Sequence, residues 1–127
     1  RIEERFRPAV AQAVAKVLDS AFKESPGSVV DNCRDAMQVI LSSWLAQNGS
    51  AETVIGNELA KIAGAIEAAP HEKICVGNLG KVCAKLHSRN KSNAQRQKGY
   101  RPIVEEDAEL ALQALGFVLR DLDWSKN

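Results

Sequence analysis

The sequence predicts an all-α fold, an antiparallel bundle of about five helices, and three observations predict it. Apolar residues recur at three- and four-residue spacing along most of the chain. Aromatic residues make up only 5% of the composition while alanine is plentiful, a usage that suits helices better than strands. The polar connections between periodic stretches are short, which favours successive helices that run antiparallel.

At 127 residues the chain can bury roughly two thirds of its unfolded surface around one core. It reads as a single helical domain over 1–127, or as the C-terminal part of a longer protein, since it opens on Arg1 rather than methionine.

The first helix is expected over about 8–24, with Pro8 in its first turn and Val10, Val14, Val17, Leu18 and Ala21 on one face. Ser25-Pro26-Gly27-Ser28 breaks that pattern, and Ser28 is the expected cap of a second helix reaching about Gln47. Its stripe of Val30, Cys33, Met37, Ile40, Leu41, Trp44 and Leu45 is the strongest periodic signal in the chain. Asn48-Gly49 stops it. Ser50 should cap a third helix carrying Ile55, Leu59, Ile62 and Ile66, which ends before Pro70.

A fourth helix, about 72–88, places Leu79, Val82, Cys83 and Leu86 on one side, and Gly77 and Gly80 either kink it or admit a close neighbour. The polar stretch from Asn90 to Pro102 reads as a loop. The last helix is expected over about 105–123, opened by Glu105, Glu106, Asp107 and Glu109, whose charges favour a helix N-terminus. Ala108, Ala111, Leu112, Leu115, Val118, Leu119 and Leu122 form its main stripe, and Leu110, Ala114 and Phe117 a second one. Apolar residues around more than half of its circumference place this helix at the centre of the bundle, or else give it a subunit interface through Leu110, Ala114 and Phe117.

Cys33, Cys75 and Cys83 are odd in number and form no CxxC pair, so they read as reduced, packed thiols rather than disulfides or zinc ligands. His71 and His87 complete no ligand series with them, and the glycines do not compose a phosphate-binding loop. No metal or cofactor is assigned. No apolar run approaches the roughly 20 residues that span a bilayer, and the expected location is cytoplasmic, with no membrane partner.

The net charge of +1 conceals a segregation. Between Lys73 and Val104 there is no Asp or Glu, yet the segment carries Lys73, Lys81, Lys85, Arg89, Lys91, Arg96, Lys98 and Arg101, which leaves nine basic against 16 acidic residues elsewhere. Such a cluster can neutralise phosphates; the plainer account is a solvated polar surface attracted to the acidic start of the last helix.

The segment Lys85-Leu86-His87-Ser88-Arg89-Asn90-Lys91, followed by Glu105-Glu106-Asp107-Ala108-Glu109-Leu110-Ala111-Leu112, resembles the HEPN superfamily, and Pro26 to Ala36 resembles the start of the second helix in HEPN-like domains of abortive-infection systems. The resemblance implies a helical bundle that commonly dimerises, found in phage-defence, toxin and RNA-processing systems. Active members are metal-independent ribonucleases whose motif is an arginine, a polar residue and, a few residues later, a histidine: the arginine stabilises charge at phosphate while the histidine moves a proton. Arg89 and Asn90 match the start of that motif, but Ala94, Gln95 and Arg96 stand where the histidine is expected, and His87 precedes the arginine. The resemblance therefore implies a non-catalytic member binding RNA through Lys85, Arg89, Asn90, Lys91, Arg96 and Lys98. A homodimeric or partner-binding module is the alternative, and a ribonuclease using the displaced His87 the third reading.

Overall fold

A computed structural model describes residues 1–125 of the chain. Among them the chain forms six α-helices and a 3₁₀ turn, with no strand: α1 Arg7–Ser20, α2 Pro26–Gln47, the 3₁₀ turn Glu52–Gly56, α3 Leu59–Glu67, α4 Ile74–Arg89, α5 Ser92–Lys98 and α6 Glu105–Asp121. The all-helical fold class is as expected. The count is not, because α5 lies inside the stretch expected to be a loop. That segment has no apolar stripe for periodicity to register, and it ends on Gly99, whose φ of 67° is left-handed backbone that glycine adopts without steric cost.

The helix at the centre is α2. It packs against α1, α3, α4, α6 and the 3₁₀ turn, and Val30, Cys33, Met37, Ile40, Leu41 and Leu45 are completely enclosed. Full burial of such side chains stabilises by about 1.5–3 kcal/mol each, which makes this helix the anchor for all the others. Its cap is Ser25 rather than the expected Ser28: Ser25 Oγ accepts the Ser28 amide at 3.3 Å, and Pro26 takes the first helical position. Two buried hydroxyls on these helices bond back to the preceding turn, Ser42 donating to the Gln38 carbonyl at 2.6 Å and Ser20 to the Val17 carbonyl at 3.0 Å.

Helix α1 packs on α2 and buries Val10 and Val17, with Ala21 just beyond its end. The expectation for Leu18 was wrong, since it is 68% exposed. With a single helix to lie against, α1 covers only a narrow stripe, and the residue next to Val17 is turned about 100° away from it. The helix also ends at Ser20 instead of Glu24. Ahead of it, Ile2 and Phe6 are buried, and Gln47 of α2 clamps the N-terminal segment by accepting the Glu3 amide at 2.8 Å and donating to the Arg1 carbonyl.

The third helix begins at Leu59, not Ser50, and Ile55 lies in the 3₁₀ turn, 42% exposed. Leu59, Ile62 and Ile66 are buried as expected. Of the two roles open to Gly77 and Gly80, the structure selects close approach. α4 is continuous from Ile74 to Arg89, and a Cβ at Gly77 would come within 2.8 Å of the Ala63 carbonyl oxygen and collide with the Glu67 side chain. Helix α6 ends at Asp121, and packs with α2 and α4 through Ala108, Ala111, Leu115 and Val118. It is not enveloped on all sides: Leu110 and Phe117 stay exposed on its outer face while Ala114 is buried. Cys33 and Cys83 are buried free thiols whose desolvation pushes their pKa up to about 12, whereas Cys75 is free but exposed. Among the described residues no helix is long and apolar enough to cross a membrane.

Candidate nucleic-acid interface

The acid-free run from Lys73 to Val104 folds into α4, α5 and the loop that leads to α6, which between them carry seven of its eight cations, with Lys73 just ahead of α4. Three of them are neutralised within the molecule. Lys73 reaches Asp121 at 3.9 Å and lies over the Trp44 ring, Lys81 meets Glu67 at 2.5 Å, and Arg101 pairs with Asp107. The other five, Lys85, Arg89, Lys91, Arg96 and Lys98, have no carboxylate within ion-pair distance among the described residues, and all but the half-buried Arg89 are exposed.

Lys81, Lys85 and Arg89 project from α4 into an open cleft of about 570 Å³, closed on the other side by Arg101, Asp107 and Leu110. The Arg89 guanidinium carbon stands 5.2 Å from the Tyr100 ring centroid, a cation–π contact that holds the arginine against the aromatic ring. Lys91 precedes α5, and Arg96 and Lys98 lie in its last turn, where basic side chains complement the carbonyl end of the helix.

Asp107 organises the loop that carries Tyr100 and Arg101. It is 6% exposed, and its two carboxylate oxygens accept from both terminal nitrogens of Arg101 at 2.6 and 2.8 Å. One of them also accepts the Val104 amide at 2.9 Å, satisfying an unpaired donor at the start of α6. The Arg101 hydrogen bonds, helped by the Val104 amide and by the charges of Arg101 and Arg89, outweigh desolvation and hold the carboxyl at about 2, below its ordinary 3.8. The general reading of the helix-start carboxylates as a charge bias therefore misses this one, which turns inward as a structural partner.

Asn90 does not join Arg89 in the cleft. Its amide faces the start of α2, donating to the Gly27 carbonyl at 3.3 Å and lying 3.3 and 3.4 Å from the two Asp31 oxygens. His87 faces the same way, its Nδ1 2.8 Å from Asp31 Oδ1. It sits in the last turn of α4, half-buried and bonded across to α2. The spacing within α4 explains the division, because residues two apart project in nearly opposite directions. An imidazole with one nitrogen engaged by a carboxylate can exchange protons through the other, but here it faces α2 while the guanidinium two residues on lies against Tyr100. His71 makes an edge-on contact with Trp44 at 5.0 Å between centroids. No group of three or more His, Cys, Asp or Glu side chains among the described residues could hold a metal ion.

Asp31 and Asp107 were the site residues that sequence reasoning missed. Asp107 carried a usable signal, since an acidic residue at the third position of a helix commonly reaches back to the capping amide. Asp31 carried none, because its partners lie 56 and 59 residues away.

Comparison of the chain with models of known families, with curated proteins and with solved structures finds no match.

Proposed function

We propose that this chain is a non-catalytic RNA-binding domain, an antiparallel HEPN-like bundle acting as an accessory part of a phage-defence or toxin system. The observation that carries the reading is the set of five cations on α4 and α5, Lys85, Arg89, Lys91, Arg96 and Lys98, that the protein leaves without acidic partners among the described residues. A polyphosphate chain laid across them would release counterions, and five contacts to a single strand correspond to a salt slope of about −3.5. Tyr100, already stacked with Arg89, adds a flat surface of the kind on which unpaired bases stack. The resemblance around Lys85–Lys91 favours RNA among polyanions. The orientation of His87 away from Arg89 favours binding without cleavage.

Titration into labelled single-stranded RNA, double-stranded RNA and DNA at two salt concentrations, with product analysis on the same samples, tests the proposal. RNA should bind, more weakly at high salt, and remain intact. The double variant Arg89→Ala/Lys91→Ala should weaken binding and flatten the slope by about 1.4 while leaving helicity unchanged. Unaltered RNA affinity in that variant removes these residues from the interface. Cleaved RNA overturns the non-catalytic reading, and loss of that cleavage in His87→Ala would assign it to the Asp31–His87 pair.

A further inference from the structure

The outer face of α6 carries a second pattern, which meets the wall of the basic cleft at Leu110. Glu106, Leu110, Gln113, Phe117 and Arg120 follow one another at spacings of four, three, four and three residues, and all five are exposed. That spacing is the heptad repeat of a helix–helix seam. It ends in an acidic residue on one side and a basic one on the other, with Leu110 43% and Phe117 36% exposed between them. Arg120 lies along this face over Gly116, with a terminal nitrogen 3.2 Å from where a Cβ of that glycine would be. Leu79 of α4 and Leu112 extend the apolar surface into a shallow groove beside Phe117.

We infer that this face is a two-fold seam at which α6 pairs antiparallel with α6 of a second copy of the chain. The stripe is complementary to itself only in the antiparallel sense. With the two-fold axis at Gln113, Glu106 stands level with the partner subunit's Arg120 and Arg120 with the partner subunit's Glu106. Leu110 and the partner subunit's Phe117 fall within one residue's rise, about 1.5 Å, of each other. Gln113 meets its own copy on the axis, where two amides can donate to and accept from one another. The same patch serves both subunits, as a two-fold contact requires. A parallel pairing would instead set like charges side by side at both ends.

The test is sedimentation velocity of the parent and of two charge reversals, Glu106→Arg and Arg120→Glu, over micromolar to near-millimolar concentration, with circular dichroism to verify folding. The parent should move from the 13.8 kDa chain mass towards twice that value as concentration rises. Each reversal alone opposes like charges twice per dimer and should weaken association by about tenfold or more. An equimolar mixture of the two variants restores both opposite-charge contacts and should dimerise like the parent. This rescue also separates the seam from a local effect, since Glu106 lies in the field of Arg101 within its own subunit, and a disturbance there would not be repaired by mixing. Phe117→Asp should leave the protein monomeric. A parent that stays monomeric, reversals that dimerise unchanged, or a mixture without rescue each overturns the proposal.

Discussion

A single carboxylate illustrates how far one side chain departs from the pattern around it. Glu105 and Glu106 flank the same helix start and stay in solvent, whereas Asp107 is buried against Arg101 and the Val104 amide. Because its pKa is lowered on folding, its stabilising contribution is complete above the ordinary value and is lost as the pH falls through the folded value. The stability difference between the parent and Asp107→Asn, measured by urea unfolding at a series of pH values, should therefore be full above pH 3.8 and close as the pH drops to about 2. A difference that is the same at both ends of that window would mean the ionised pair is not its source. Asp31, His87 and Asn90 teach the same lesson by another route: their hydrogen bonds tie the start of α2 to the end of α4, and no local pattern in either segment announces them.

At the scale of elements, the apolar stripes predict which helices exist more reliably than where they stop. α2 and α6 were legible almost to their ends because a long period-3.6 stripe leaves little ambiguity. The third helix starts later than its stripe suggests because Ile55, although in phase with Leu59 and Ile62, belongs to a separate turn. Helix α5 was invisible because nothing in it repeats.

The glycines separate by the same logic into two kinds. Gly64 on α3 has open space where a Cβ would go, while Gly77 on α4 faces the Ala63 carbonyl of the neighbouring helix. Gly64→Ala should stabilise by up to about 1 kcal/mol through helix propensity. Gly77→Ala should destabilise by about 1–3 kcal/mol by forcing α3 and α4 apart. Thermal unfolding of the two variants checks both signs, and a stabilising Gly77→Ala would contradict the close packing.

Across the whole molecule one core joins all the long helices. Trp44 on α2 and Trp124 beyond α6 belong to the same buried cluster, as do Ile2 and Phe6 from the opposite end of the sequence. A single cluster with no internal boundary should unfold in one step. Urea transitions followed by tryptophan fluorescence and by helical circular dichroism should therefore coincide; separated midpoints would indicate two units. The charge distribution is likewise a property of the whole. The eight cations of the acid-free run from Lys73 to Val104 become three paired ones, once Asp121, Glu67 and Asp107 are folded against them, and five without an acidic partner among the described residues.

The sequence by itself determined the all-helical class, the core stripe of α2, the acidic opening of α6 and the segregation of charge, because each rests on residues within a few turns of one another. Only the tertiary structure decided that α2 rather than α6 lies at the centre, that Leu18, Leu110 and Phe117 remain exposed, and that Arg89 lies against Tyr100 while Asn90 turns to the start of α2. These outcomes depend on which helices lie beside one another, and periodicity fixes the face a helix must bury without naming the partner that covers it.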